Sequence, residues 1–423
     1  MRQPLYSFQF LGMILTFRVT TKNRCAEHCE RGWDMKLLRV KAGGFKNCMD
    51  DFEIDMMART ESADEKQASE LLKIDEGLYV YNTIGIVGKN ASGKTSALEL
   101  LDWCYDILSA FALNGKNCSY HGVRLEIIFY QEGNLYKYNT ELGDADILED
   151  RAIFKDQKLY SKRYRQEELS QIYTEGWIEE KSKIQEASEN FSILRFVLKK
   201  AVIREIYYDA FMETAEGYGF TYKLMKLLNI DPEYLNRIIP IFDRNISALK
   251  QIDETQYMLV YQGVEQIYSS RELLKFLSDG TTKGMNLYIL AVMSLTAGFD
   301  LLIDEIEGYL HKAHVRNLVM FYKDRQINRK NATLIFSTHD SELLNLFERS
   351  DNVWVTHSEG KIKIENMYDR YGATPGYMKS KFYLDMYDTL ADYQTLMLLR
   401  QRLMMNVMSE GDTDLLGGGM EKF

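Results

Sequence analysis

The chain has 423 residues, 46% hydrophobic and 12% aromatic, which excludes a disordered or fibrous protein and allows two to three domains at about 150 residues each. Lys plus Arg number 52 against 62 for Asp plus Glu, a formal charge of −10, so a generic nucleic-acid or membrane-surface coat is excluded. Four prolines leave no Pro-rich linker, and no run approaches the roughly 18 apolar residues of a membrane span.

In chain order, residues 1–34 read as a weakly ordered N-terminal extension. Leu5–Val19 is short, apolar and preceded by Arg2, but Ser7, Gln9 and Thr16 interrupt an export-signal reading. Cys25, His28 and Cys29 imitate half a zinc site, with no second pair downstream, and five cysteines in all suit a reducing compartment better than a disulfide framework. Residues 35–145 form a first lobe. Lys36–Lys41 and Phe52–Met56 read as strands, and Thr60–Glu70 as a charged loop. A buried strand ends at Ile84–Val87, followed by a helix over Thr95–Leu108 with Leu98, Leu101, Tyr105 and Leu108 on one face. Leu125–Tyr130 and Leu135–Thr140 flank a Gly-containing turn as a β-hairpin.

Residues 146–255, rich in Lys, Glu, Gln and Tyr, read as a helical insertion without a convincing strand until Tyr257–Tyr261. Residues 256–375 alternate again: helix Met285–Ala297, strand Leu301–Ile303, helix His314–Lys323, strand Thr333–Phe336, and a further strand at Asn352–Thr356. Residues 376–423 hold a Met-rich helix, Met378–Met405, and a glycine-rich tail. Strands alternating with helices imply an α/β fold.

Gly88-Lys89-Asn90-Ala91-Ser92-Gly93-Lys94-Thr95 is a full G-x-x-x-x-G-K-T between a predicted strand and a predicted helix, the context a phosphate-binding P-loop (Walker A) needs. Its backbone N–H groups would wrap the phosphates of ATP, Lys94 would reach the β- and γ-phosphates, and the Thr95 hydroxyl would ligate Mg²⁺. Leu301–Glu305 then supplies a Walker B strand. Asp304 at its end would hold the metal through water, and Glu305 would polarise the attacking water. Leu277-Ser278-Asp279-Gly280-Thr281 lies twenty-six residues before Asp304, with Ser278 and the Gly280 backbone forming an anion-binding helix start. His339, in Phe336-Ser337-Thr338-His339-Asp340, lies thirty-five residues after Asp304.

Together these motifs resemble the ABC-type heads of the RecF, SMC and overcoming-lysogenization-defect ATPases. The wording SDGT, DEIEGYLH and STHD is most similar to the AAA-type family found with bacterial abortive-infection and anti-phage systems, as is Arg370–Pro375. The resemblance covers about half the chain. It implies a P-loop NTPase head, a mixed sheet flanked by helices, with an inserted helical subdomain. It makes Ser278 and Gly280 a signature that completes a partner's site in a head-to-head homodimer, and His339 a γ-phosphate sensor. Glu307 and His311 would lie along the dimer seam. No Q-loop is evident, since Gln131 falls in a hairpin turn.

A helical insertion in place of the short transporter-type subdomain argues against transport, and ATP chemistry implies a cytoplasmic protein. Two readings remain: a defence ATPase controlling a separately encoded effector, such as a nuclease or other toxin, and a RecF-like DNA-repair or DNA-end-binding ATPase. Lys155, Lys158, Lys162, Arg163 and Arg165, interleaved with Tyr160 and Tyr164, could track DNA phosphates or form a solvated helix face balanced by Glu167 and Glu168. An internal effector finds little support. Asp412-Thr413-Asp414 has no domain around it, and Arg349 and His357 are spaced one residue too far apart for an RNase pair. The helical insertion and the C-terminal helix, with its adaptable Met side chains, are the natural partner surfaces, or they pack on the head's own core.

Overall fold

The computed structural model describes residues 5–10, 13–18, 35–59, 65–116, 118–146, 149–181, 189–199, 203–208, 214–253, 255–373, 379 and 397–402. The half zinc motif Cys25–Cys29, Asp412–Asp414 and most of the expected C-terminal helix lie outside them. Within 1–34, Leu5–Phe10 and Met13–Arg18 pair as an antiparallel hairpin. Residues 1–379 form one compact unit; in the other, 380–423, residues 397–402 are helical.

Two six-stranded sheets dominate the larger unit. One runs Glu205–Tyr208, Asp300–Ile303, Leu334–Thr338, Thr83–Val87, Val353–Glu359 and Lys361–Asn366, parallel except for its last, antiparallel strand. Its central strands, TIGIV, DLLI and LIFST, are buried at every position, as expected where both faces are covered. The other sheet is antiparallel and includes Lys36–Gly43, Phe52–Asp55 and the expected hairpin, Arg124–Gln131 with Asn134–Asp146.

The helix Lys94–Ala110 shares one core with both sheets: Leu98, Leu101, Trp103 and Leu108 cluster with Val40 and Ile127 of one sheet and Ile84, Leu302 and Ile335 of the other. It is therefore buried nearly all round, and Leu98, Leu101, Tyr105 and Leu108 are only part of its buried surface. A polar knot crosses the same core. Lys36 Nζ reaches Asp300 Oδ1 at 2.7 Å and Thr333 Oγ1 at 2.8 Å, and Tyr105 donates to Asp300 Oδ2 at 2.6 Å. Burial beside Asp300 pushes the Tyr105 phenol well up. Four elements distant in sequence are thus tied at one carboxylate.

The helical reading of 146–255 needs correction. Among the described residues its α-helices are Ala215–Leu227 and Glu233–Phe242, with short 3₁₀ turns at Gln166–Gln171 and Ile193–Phe196 and several strands besides. Glu149–Arg163 is a long strand beside Asn134–Asp146, and Glu205–Tyr208 extends the parallel sheet. A bulge hid the long strand: Asp156 has φ 46°, and the pairing register slips between Lys155 and Lys158. Buried positions therefore run Ala152, Phe154, Gln157, Leu159, so the two-residue alternation breaks midway. Gln157 is buried because its Oε1 accepts from Tyr138 OH at 2.7 Å and Ile193 N at 2.8 Å. A short helix, Glu65–Ala68, also occupies part of the expected loop Thr60–Glu70.

Candidate functional site

Three parallel strands end side by side, at Val87, Ile303 and Thr338, and the motif residues follow each of them. The carboxyl edge of a parallel sheet is where such folds bind ligands. The strand of Thr338 lies between the other two, which places His339 between the P-loop and Asp304-Glu305.

Gly88, Ser92 and Lys94 are buried while Lys89, Asn90 and Ala91 form the exposed crest of the loop. The glycines are dictated by space and backbone. A Cβ at Gly88 would come within 2.1 Å of Ser92 Oγ, and Gly93 combines φ 103° with Ile362 Cγ2 2.2 Å from where its Cβ would stand. Ser92 Oγ is itself 2.7 Å from Thr356 Oγ1, so the loop is tied to the strand Val353–Glu359. Gly93 caps the helix Lys94–Ala110 without a side-chain hydrogen bond, leaving the first-turn N–H groups clear of any competing cap. That cradle fits an anion.

Lys94 Nζ donates to Gly88 O at 3.2 Å and Lys89 O at 3.1 Å and stands 3.7 Å from Glu305 Oε1. Thr95 Oγ1 donates to Asp304 Oδ2 at 2.6 Å. Ser337 Oγ donates to Asp304 Oδ1 and accepts from Glu305 N at 2.7 Å. The hydroxyl and carboxylate are oxygen donors of the kind Mg²⁺ takes, so the residues present fit that ion. Glu305 adopts a left-handed backbone, φ 48° and ψ 60°, a strained conformation for a non-glycine residue. Its side chain is about 50% exposed.

His339 is brought to the same edge, where its Nδ1 lies 2.7 Å from Glu307 Oε1. Ser278 caps the helix Asp279–Ala297, accepting from Thr281 N at 3.1 Å, and Gly280 has open space around its Cα. Both are exposed, and Ser278 Oγ bonds Thr281 of its own helix. The structure therefore gathers Lys94, Thr95, Asp304, Glu305 and His339 and leaves the signature pair facing outward. His311 caps the next helix by accepting from Ala313 N at 3.3 Å.

The roles of Ser337 and Thr356 carry no sequence signal of their own: Ser337 lies inside the STHD motif, and Thr356 meets the loop only through the fold. Gln131 ends its strand opposite Asn134, as a hairpin-turn residue should. Arg349 is buried and holds Asp351 in a two-pronged pair at 2.8 and 2.5 Å, a scaffold role. Among the described residues no helix is long and apolar enough to cross a membrane.

The family model described as "AAA domain, putative AbiEii toxin, Type IV TA system" matches residues 84–345, well over half of the chain. A search of curated proteins finds no match. Among solved structures, the chain is similar to the crystal structure of the SmcHead bound to the C-winged helix domain of ScpA. That likeness has 13% identity over 78% of this chain and 96% of the other, with a TM-score of 0.36.

Proposed function

The chain belongs to this AAA-domain family, and on that premise we propose that it is an ATP hydrolase whose nucleotide cycle opens and closes a head-to-head homodimer controlling a separate effector. The observation that carries the reading is the contact set Thr95–Asp304–Ser337 beside Lys94 and Glu305, built from the ends of three parallel strands.

The backbone of Gly88–Thr95 and the uncapped helix start receive the phosphates of ATP. Lys94 leaves the loop carbonyls for the β- and γ-phosphate oxygens. Thr95 and Asp304 would hold Mg²⁺, which when bound would supply positive charge to neutralise the phosphates. Glu305 orients water and takes its proton as the water oxygen attacks the γ-phosphorus and ADP departs, a role worth about 10²–10⁴-fold in rate. His339 contacts the γ-phosphate. Ser278 and Gly280, exposed at a helix start, suit the phosphates of the partner's nucleotide, so each site would be completed in trans.

The family's description supports a place in abortive infection, and hence anti-phage defence, in the cytoplasm where ATP is available. A DNA-repair role is the alternative. Its basic stretch lies on a strand, not a helix, and Lys162 is buried with Nζ donating to Gln171 O and Glu175 O at 3.2 and 2.6 Å, which weakens a continuous phosphate-tracking face. Steady-state turnover of Glu305→Gln against the native chain tests the ATPase reading: a fall of about 10²-fold or more with nucleotide still bound is expected, and equal turnover overturns it. Turnover stimulated by DNA ends with no partner present would favour the alternative.

A further inference from the structure

We propose that Glu307 is a positioning residue for His339, fixing the orientation and tautomer of its imidazole for the nucleotide; this deepens the ATPase reading and rests on it. One oxygen, Glu307 Oε1, accepts from the main-chain N–H of His339 at 2.6 Å and lies 2.7 Å from its ring Nδ1. Holding a residue by main chain and side chain at once removes most of the freedom of its ring. The two partners are unequally placed: the Glu307 side chain is 14% exposed and that of His339 50%. The carboxylate is built into the fold, and the imidazole is presented to the outside.

The local backbone explains why this glutamate is free for the task. Glu305 turns left-handed and is followed by a single tight turn, Ile306–Gly308, closed by Gly308 N donating to Glu305 O at 2.8 Å. Within that turn Glu305 goes to Lys94 and Glu307 to His339. Two carboxylates two residues apart thus serve two different cations or donors. The second oxygen of Glu307 is buried without a hydrogen-bond partner among the described residues, so no competing group claims the carboxylate. An acceptor on Nδ1 keeps the proton there and leaves Nε2 as the outward nitrogen, the way carboxylates orient functional histidines. Nε2 of His339 makes no hydrogen bond among the described residues.

A merely structural Glu307 would brace the chain at His339 N and be indifferent to the imidazole, and a double-mutant cycle separates the two. Glu307→Ala should lower kcat for ATP about tenfold, the scale of lost supporting contacts. Glu307→Gln, whose amide oxygen can still accept both N–H groups, should recover most of it. In a His339→Ala background, Glu307→Ala should change kcat no further. Multiplicative losses, or unchanged kcat in Glu307→Ala, overturn the proposal. A second readout does not depend on turnover: ring ¹⁵N shifts of His339 should report a proton on Nδ1 in the native chain and a mixed tautomer in Glu307→Ala. A ring already mixed in the native chain overturns the proposal too. Equal turnover by Glu305→Gln would instead remove the ATPase reading and leave the tautomer as the deciding measurement.

Discussion

Thr95 Oγ1 donates to Asp304 Oδ2 at 2.6 Å although 209 positions separate the two residues. The hydroxyl and carboxylate assigned to Mg²⁺ are therefore already neighbours, and little reorganisation separates this state from a metal-holding one. Thr95→Val should abolish the dependence of nucleotide affinity on Mg²⁺ while metal-free nucleotide binding stays within about threefold, because the cradle and Lys94 remain. Titration of a fluorescent ATP analogue with Mg²⁺ and with EDTA measures this. A variant as Mg²⁺-dependent as the native chain would show that Thr95 is not a ligand.

Asp300, buried, accepts from Lys36, Tyr105 and the main chain of Thr333. Lys36→Met strands that carboxylate without its cation and should cost about 3–5 kcal/mol. Urea unfolding should show a lower midpoint at an unchanged slope. Adding Asp300→Asn should restore part of the loss, since no buried charge is then left alone. A single-variant change below about 1 kcal/mol would contradict the role given to this knot.

Lys379 Nζ donates to Phe347 O at 2.9 Å, and burial pushes its ammonium down to about 8. An unfolded lysine titrates near 10.4 (about that value in peptides), so between these limits the unfolded chain holds a proton that the folded chain has released. Stability should therefore rise with pH across that window, by on the order of 1–3 kcal/mol from this one group. Lys379→Met removes the contribution. Urea midpoints of both chains from pH 7.5 to 10 check it: the native curve should climb relative to the variant, and parallel curves would contradict it.

Exposure of Ser278 and Gly280 leads to a mixing experiment. Ser278→Arg and Lys94→Ala should each be nearly inactive alone. Their mixture should regain at most about a quarter of native turnover, because a mixed dimer has one intact pairing of P-loop and signature and only half of random dimers are mixed. Full activity of either variant alone would argue against completion in trans.

Much of the site was legible because its chemistry is local in sequence. Gly88–Thr95 is contiguous, and the apolar runs before Gly88, Asp304 and His339 read directly as buried parallel strands. The segment 146–255 was misread where signals are non-local. The bulge at Asp156 broke the strand period, and the buried Gln157 and Lys162 find partners that only the folded chain supplies. Glu205–Tyr208 is short, and a neighbouring strand ninety-five residues downstream (Glu205 opposite Asp300) defines it. The left-handed turn at Glu305 and the Glu307–His339 contact left no trace in composition or periodicity.

The most direct test of an ATP-gated dimer is sedimentation of Glu305→Gln with saturating ATP and Mg²⁺, compared with the same protein in ADP. The dimer should accumulate in ATP and fall back toward monomer in ADP, and Ser278→Arg in the same chain should prevent it. An ATP-saturated Glu305→Gln protein that sediments as in ADP would contradict the account.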